Sequence, residues 1–237
     1  IIAANRDEFF NRGTSESHIW DPEHGIIAGK DLQAGGTWMG INKYGYVASL
    51  TNVRDPQKIR ADAVTRGELV SHYLQQPEDR YHQTLSTHKD NYNGYNLLFG
   101  KWDDLSVYNN HLDQLQQLTD GYYGLSNANL NSPWPKINKG VSKLEEYCQD
   151  GHDVNPEILF TLLLDKSLAA DQDLPKTGIP IDWERRLSSI FILGDEYGTR
   201  SSTVLKVDKQ QNVQWYERTY DNTARCTSSQ SFNFIID

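Results

Sequence analysis

The sequence has few of the residues and motifs that identify common enzyme classes. Its 2 cysteines, Cys148 and Cys226, are too few for a disulfide framework and have no metal-ligand spacing. It contains no G-x-x-x-x-G-K phosphate loop and no G-x-S-x-G nucleophile elbow, and none of its 7 histidines pair at the spacing of a zinc-binding helix. These absences argue against P-loop nucleotide hydrolases, α/β-type serine hydrolases and zinc enzymes. The low cysteine content favours a reducing, cytoplasmic compartment.

An excess of positive charge and long apolar runs are also missing. Lys and Arg number 23 against 32 Asp and Glu, which gives a formal net charge of −9. Non-specific nucleic-acid binding and polybasic membrane anchoring both need an excess of positive charge, so we expect neither. No apolar run approaches the roughly 18 residues of a membrane-spanning helix, so we expect no integral membrane segment. Aromatic residues make up 11% of the chain, which indicates a folded rather than a disordered protein.

Apolar patterns and turn residues predict an α+β fold in a single domain over residues 1–237. The first predicted strand ends where the polar residues Asn5, Arg6, Asp7 and Glu8 begin, and a loop follows over residues 11–22. Strands are predicted at 1–4, 25–29, 37–41, 46–51, 95–100, 105–109, 121–126, 188–194, 201–207, 213–219 and 231–236, and helices at 61–74, 136–148 and 155–170.

The order of these elements is strands, helix, strands, two helices and strands. Because strands and helices do not alternate one by one, a doubly wound parallel sheet is not expected. Two antiparallel sheets packed together, with helices on their outer faces, fit the order better. The last predicted helix has Asn155 as N-cap and Pro156 at its first helical position.

Polar clusters at predicted strand ends are the candidate functional positions. The segment from Asn5 to Glu8, which we call the NRDE segment, forms either a site or a solvated turn. Asn52 and Asn127 each carry an amide that either donates to a developing oxyanion or simply tolerates a turn conformation. Arg200 lies in a predicted hairpin turn of small residues, where it either clamps a carboxylate or pairs with a surface acid.

These clusters fall in sequence blocks that closely resemble the NRDE family, also called the Transport and Golgi organisation 2 family. The NRDE segment itself is one block, and the block around Arg200, Tyr-Gly-Thr-Arg-Ser-Ser-Thr, is another. The resemblance spans nearly the whole chain, in order. The blocks are residues 4–9, 28–31, 35–38, 50–54, 66–69, 92–98, 125–128, 133–136 and 197–203.

The resemblance implies the architecture of N-terminal-nucleophile hydrolases, a four-layer αββα sandwich of two antiparallel sheets. It also implies an amidohydrolase in which a cysteine at the mature N-terminus attacks a C–N amide bond of a small molecule, without metal or cofactor. Family members typically begin Met-Cys, about one strand before the NRDE segment. This sequence begins at Ile1 and its only methionine is Met39, so we expect the nucleophile upstream of Ile1. Cys148, in a predicted helix, and Cys226, in a predicted loop, are not expected to replace it.

The resemblance to the cholylglycine-hydrolase branch of these enzymes assigns roles to five residues. Asp7 is expected to orient the α-amino group of the nucleophile, and Arg6 to hold the thiolate or a substrate carboxylate. That branch has an arginine a few residues before the aspartate, and this sequence does not. Asn52 and Asn127 fall at the oxyanion-hole and amine-anchoring positions, and Arg200 is expected to close the pocket.

A different class of function also follows from the resemblance. Animal members of the family are linked to haem trafficking and to lipid or mitochondrial homeostasis. On this reading the protein is a non-catalytic haem or lipid binding module, and aromatic residues such as Trp38 and Trp134 line an apolar pocket instead of filling a core. No feature of the sequence identifies the substrate or the oligomeric state.

Overall fold

The computed structural model describes residues 1–149 and 154–237, which form an α+β fold with two antiparallel sheets. This part of the chain contains eleven strands and five α-helices. The strands are β1 (Ile2–Phe9), β2 (Thr14–Asp21), β3 (Ile26–Asp31), β4 (Met39–Ile41), β5 (Tyr46–Asn52), β6 (Tyr95–Lys101), β7 (Asp104–Asn109), β8 (Gln114–Gln117), β9 (Tyr197–Val207), β10 (Asn212–Tyr220) and β11 (Cys226–Ile235). The helices are α1 (Gly67–Gln75), α2 (Tyr81–His88), α3 (Pro135–Gln149), α4 (Pro156–Leu163) and α5 (Ile181–Arg186).

The chain divides into two compact units that are interleaved along the sequence. The first unit consists of residues 1–12, 122–124 and 131–234, and the second of residues 13–121, 125–130 and 235–237. The single-domain organisation expected from the sequence stays a prediction. No helix in the described ranges is long and apolar enough to cross a membrane.

The first unit is built on a four-stranded sheet in the order β1-β9-β10-β11. Helix α4 covers one face, where Leu159, Phe160 and Leu163 pack with Val204 of β9 in a buried apolar cluster. The helix begins as the sequence predicts: Pro156 is its first residue, and the backbone N–H of Glu157 donates to the side chain of Asn155 at 3.0 Å. The packing of the buried side chains of α4 against β9 therefore explains, together with the N-cap, why this short helix is stable.

The second unit is built on a seven-stranded sheet whose strands follow one another in sequence order from β2 to β8. Helix α1 packs on it through Leu69, Val70, Tyr73 and Leu74, all of which are buried. Aromatic rings meet edge to face in this core, as for Tyr73 and Phe99, whose centroids lie 5.3 Å apart. Strands β3 to β7 confirm the strands predicted at 25–29, 37–41, 46–51, 95–100 and 105–109, and each pairs antiparallel with the next.

The first strand is longer than its apolar residues predicted. β1 pairs with β9 from Ile2 opposite Leu205 to Phe9 opposite Tyr197, so the NRDE segment lies within the strand and not after it. The prediction of a hairpin turn around Arg200 is also wrong, because Tyr197–Val207 is one continuous strand. β1 and β9 are far apart in sequence, and the backbone pairing between them continues through polar residues that show no apolar alternation.

Two predicted strands are absent from the described structure, over residues 121–126 and 188–194. Most of the second segment is buried, although Leu193 is 49% exposed, and individual partners satisfy its backbone groups instead of a strand ladder. The N–H of Phe191 donates to the carbonyl of Asp165, and the N–H of Ile192 to the hydroxyl of Thr199. An apolar run bounded by turns cannot distinguish this arrangement from a buried strand.

Several elements lack the pattern that would have predicted them. β2 occupies the predicted loop at 11–22, and its pairing with β3 has two register shifts that disturb the alternation. β8 is wholly exposed, and α2 and α5 are short helices that also were not predicted. The predicted helix at 61–74 begins only at Gly67, and α4 ends at Leu163 and not at 170. Cys226 opens β11 instead of lying in a loop.

Candidate functional site

Asn5 connects the sheet of the first unit to the elements that cover it. Its amide Nδ2 donates to the carbonyl oxygens of Leu163 at 2.8 Å and Ile190 at 2.9 Å. The hydroxyl of Ser202, opposite Asn5 on β9, donates to Asn5 Oδ1 at 2.6 Å. These bonds satisfy the last carbonyl of α4 and one carbonyl of residues 188–194, which form no strand. Asn5 therefore has a structural role in the NRDE segment.

Asp7 lies at the end of a chain of hydrogen bonds in the same unit. The hydroxyl of Thr199 donates to Asp7 Oδ1 at 2.6 Å, and the same hydroxyl oxygen accepts from the backbone N–H of Ile192 at 2.8 Å. Thr199 is 1% exposed, so this link is shielded from water. The phenolic group of Tyr197 donates to the backbone carbonyl of Asp7 at 3.4 Å. The carboxylate is therefore held in one orientation by buried neighbours.

Arg6 and Asp7 are consecutive residues of one strand, so their side chains leave opposite faces of the sheet. Arg6 lies opposite Ser201 and Asp7 lies opposite Thr199, which leaves Arg200 as the extra residue of a β-bulge. A bulge redirects side chains locally, and bulges are common next to functional sites. The structure therefore places the backbone positions of Arg6, Asp7 and Arg200 at one irregularity of the β1–β9 pair, with the side chains of Arg6 and Asp7 on opposite faces of the sheet.

The guanidinium of Arg200 fastens the chain where it leaves β1. Its Nη1 donates to the carbonyl oxygens of Phe9 at 2.8 Å and Arg12 at 3.0 Å, and its Cζ lies 5.4 Å from the ring centroid of Phe10. Burial lowers the pKa of Arg200, and the carboxylate of Glu8 acts in the opposite direction. Because an arginine stays protonated in either case, this site retains a positive charge.

Aromatic rings cluster at the same end of β1. Phe9 and Tyr197 meet edge to face with centroids 5.1 Å apart, and Tyr197 meets Trp183 at 5.9 Å. Phe9 is 46% exposed and Trp183 37%, so the cluster presents apolar surface to solvent. Thr199 and Tyr197 were not singled out from the sequence. They belong to the same block as Arg200, but their contacts with Asp7 and Phe9 exist only because β9 pairs with β1.

Asn52 and Asn127 lie together in the second unit. Asn52 is the exposed last residue of β5, as predicted, and its backbone carbonyl accepts from Asn127 Nδ2 at 3.0 Å. The backbone N–H of Arg54 donates to the carbonyl of Asn127 at 2.7 Å. The loop carrying Asn127 is also held by Thr51, whose hydroxyl donates to the carbonyl of Ser126 at 2.7 Å. That these two amides join Asp7 and Arg200 in one site stays a prediction.

Neither cysteine is paired in the structure. Cys148 lies near the end of α3, and Cys226 is exposed. Within residues 1–149 and 154–237, no group of three or more His, Cys, Asp or Glu side chains could hold a metal ion. His152, one of the seven histidines, lies outside the described residues.

Comparison with known proteins gives one consistent result. The family model described as Transport and Golgi organisation 2 matches residues 1–222. The chain is 34% identical to the mouse Transport and Golgi organization 2 homolog, over 92% of this chain and 85% of the mouse protein. It is 33% identical to the human homolog and 29% identical to the Drosophila melanogaster Transport and Golgi organization protein 2, each over 92% of this chain and 85% of the relative.

Proposed function

Since the chain belongs to the Transport and Golgi organisation 2 family, we propose that it is an amidohydrolase that cleaves the amide C–N bond of a small molecule. The nucleophile in this proposal is a cysteine at the mature N-terminus, on a strand that pairs with the outer edge of β1. The proposed reaction needs no metal or cofactor. The four-layer αββα arrangement that accompanies such enzymes is part of the same proposal.

The position of β1 carries this proposal. β1 is the first strand of its sheet, and in the described residues its only strand partner is β9, so its outer edge can take one more strand. In an antiparallel pair, the first residue of one strand lies opposite the last residues of the other. A nucleophile that begins an added antiparallel strand would therefore lie beside the C-terminal end of β1, where Arg6 and Asp7 stand.

The proposed mechanism uses the thiol and the α-amino group of one residue. The amine takes the thiol proton as the sulfur attacks the amide carbonyl, and the proton then passes to the departing amine, which leaves a thioester. Water attacks the thioester with the same amine as base, which releases the carboxylic acid and restores the thiol. An α-amine suits this work because its unperturbed pKa is about 7.7–8.0.

The residues at the end of β1 have distinct parts in this mechanism. Asp7, held by the hydroxyl of Thr199, accepts a hydrogen bond from the α-amino group and so fixes its direction. Arg200 secures the turn after β1 and keeps a positive charge near the site. The exposed rings of Phe9 and Trp183 offer apolar surface to the acyl part of a substrate. The oxyanion and amine-anchoring roles of Asn52 and Asn127 stay predictions from the resemblance, as does the role of Arg6.

The test is amine release by the protein expressed from its native reading frame. N-acyl amino acids of increasing acyl length are supplied, and the free amine is measured with and without prior alkylation by iodoacetamide. Alkylation is expected to abolish release, and Asp7→Asn to lower kcat/KM roughly 100-fold or more, because the substituted amide no longer orients the base. The matched control is Asp103→Asn, which removes the same charge at an exposed turn and is expected to leave kcat/KM unchanged.

Two outcomes of this experiment would contradict the proposed mechanism. Amine release that survives both alkylation and Asp7→Asn would overturn the proposed mechanism. So would the absence of release from every substrate, combined with stoichiometric binding of haemin that is indifferent to alkylation. That combination would favour the binding and trafficking function instead.

A further inference from the structure

A row of polar side chains crosses the sheet of the second unit. Asn96 of β6 lies directly opposite Thr51 of β5 and Asn109 of β7, so the three side chains stand on the same face of neighbouring strands. Asn96 is 0% exposed and Asn109 is 6% exposed. A buried amide costs free energy unless its hydrogen-bonding groups are satisfied, so the partners of these amides indicate their role.

The partner of this polar row is the loop that carries Asn127. Asn96 Nδ2 donates to the carbonyl oxygens of Ala128 at 2.8 Å and Ser126 at 3.3 Å. The hydroxyl of Thr51 donates to the same carbonyl of Ser126 at 2.7 Å. The polar row therefore holds the backbone on both sides of Asn127.

The direction of the Asn96 amide is fixed by its neighbours in the polar row. Its Oδ1 accepts from Asn109 Nδ2 at 2.7 Å, and its Nδ2 donates to Thr51 Oγ1 at 3.1 Å as well as to the loop. Asn109 Nδ2 also donates to Asn129 Oδ1 at 3.2 Å, and its own Oδ1 accepts from the N–H of Leu112 at 2.9 Å. Carbonyl oxygens only accept, so a reversed Asn96 amide would place its oxygen against two of them. A buried network that is satisfied in this way specifies one arrangement of the loop.

The loop in turn links the two amides of the candidate site. Asn127 Nδ2 donates to the backbone carbonyl of Asn52 at 3.0 Å, and the N–H of Arg54 donates to the carbonyl of Asn127 at 2.7 Å. Asn52 directly follows Thr51 on β5, so the polar row ends one residue away from it. A shift of the loop would move Asn127 and remove the hydrogen bond to Asn52 at the same time.

We propose that Asn96 is a positioning residue for amide hydrolysis, which holds Asn127 and Asn52 in place through the loop. This inference rests on the proposed function, in which those two amides anchor the α-amine and stabilise the oxyanion. Groups of this kind act only when they are held in place before the reaction, and a misplacement of about 1 Å can cost about 100-fold in rate. Because Asn96 is fully buried, it acts through the loop and not on the substrate.

Substitution of Asn96 separates positioning from substrate binding. Asn96→Leu keeps the approximate volume of the side chain and removes all of its hydrogen bonds. In the protein expressed from its native reading frame, kcat for N-acyl amino acids is expected to fall about tenfold or more, while KM changes by less than about threefold, because the lost interactions act in the transition state. Circular dichroism and urea unfolding establish that the variant is folded at the assay temperature.

The matched control removes another buried amide from the same sheet. Asn42 is also 0% exposed, and its Nδ2 donates to the carbonyl of Leu74 at 2.9 Å. It lies in the turn before β5, at the opposite end of that strand from Asn52. Asn42→Leu is expected to lower the free energy of unfolding and to leave kcat unchanged. An equal fall in kcat in both variants would show that Asn96 is merely structural and would overturn the proposal.

Hydrogen exchange at the backbone N–H of Arg54 measures the hold on the loop directly, because its acceptor is the carbonyl of Asn127. Exchange at this position is expected to be about tenfold faster or more in Asn96→Leu and unchanged in Asn42→Leu. If Asn96→Leu does not fold, Thr51→Val takes its place, since it removes the hydroxyl that binds the loop and keeps the shape of the side chain. Thr51→Ser retains the hydroxyl and is expected to restore both kcat and slow exchange.

The outcomes separate this inference from the proposed function. A folded Asn96→Leu variant with the kcat of the wild type, or with equally slow exchange at Arg54, would refute the positioning role and leave the proposed function standing. A wild-type protein that releases no amine would overturn the proposed function. In that case exchange at Arg54 alone decides whether Asn96 holds the loop.

Discussion

The hydroxyl of Thr199 offers the sharpest test of how the end of β1 is held. It donates to Asp7 Oδ1 at 2.6 Å and accepts from the N–H of Ile192 at 2.8 Å. Thr199→Val keeps the shape of the side chain and removes both bonds. No cavity forms, so the change in the free energy of unfolding comes from the two lost partners alone.

The magnitude follows from burial. Thr199 is 1% exposed and Ile192 2%, so water cannot replace the lost hydroxyl. An unsatisfied buried N–H costs about 1–3 kcal/mol, and a lost hydrogen bond to a charged group about 1.5–3 kcal/mol. Because the Asp7 carboxylate is only partly buried and can regain some hydration, we expect a total of roughly 2–4 kcal/mol. For a chain of this length that corresponds to a fall in Tm of about 4–16 °C.

Equilibrium urea unfolding followed by circular dichroism measures this difference, with an unchanged m value as the sign that only stability has altered. Thr199→Ser keeps the hydroxyl and is expected to recover all but about 1 kcal/mol of the loss. The control is Thr161→Val on the exposed side of α4, where the hydroxyl donates only to the carbonyl of Glu157. If Thr199→Val cost no more than this control, the hydrogen-bond chain would not be what holds Asp7.

Four further predictions concern other parts of the fold. Asn155→Ala removes the N-cap of α4 and is expected to lower the free energy of unfolding by about 1 kcal/mol in urea, whereas Asn155→Asp keeps it. Gly36→Ala would place its Cβ 2.4 Å from a backbone carbonyl carbon and is expected to destabilise by about 1–3 kcal/mol or more. Gly140→Ala, whose Cβ meets nothing closer than 3.8 Å in α3, is expected to raise Tm through its helix propensity. Hydrogen bonding to Lys89 is the largest cause that lowers the pKa of Asp113 to about 2. Since the folded pKa lies below the unfolded value of about 3.9, this group stabilises the fold above pH 4 and loses that effect as the pH falls toward 2. Asp113→Asn should therefore flatten the dependence of stability on pH within that window, as measured by urea titrations at each pH.

Local chemistry made some elements predictable from the sequence. The start of α4 follows from Asn155 and Pro156, whose capping roles need no partner elsewhere in the chain. Turn residues separate β3, β4 and β5, and also β6 and β7. Between β5 and β6 lies α1, whose apolar spacing is clear. In these cases the residues that specify the element are neighbours in sequence, so their pattern is visible without the fold.

The geometry of the candidate site depended on distant pairing and was not predictable in the same way. Arg200 is in a bulge only because β9 pairs with β1, which lies about 190 positions earlier in the chain. Asn5 has its structural role because Leu163 and Ile190 present carbonyl oxygens to it from elements far along the chain. The sequence could identify Asp7 and Arg200 as polar residues in matching blocks. It could not show that the hydroxyl of Thr199 would hold the carboxylate of Asp7.

Trapping of the acyl-enzyme tests the proposed function most directly. The protein from its native reading frame is mixed with an N-acyl amino acid, quenched in acid and digested, and the peptides are analysed by mass spectrometry. The proposed mechanism predicts a peptide that precedes Ile1 and carries the acyl group as a thioester on its cysteine, and predicts that iodoacetamide pretreatment removes this species. Amine release without any acylated cysteine, or acylation at Cys148 or Cys226 instead, would contradict it.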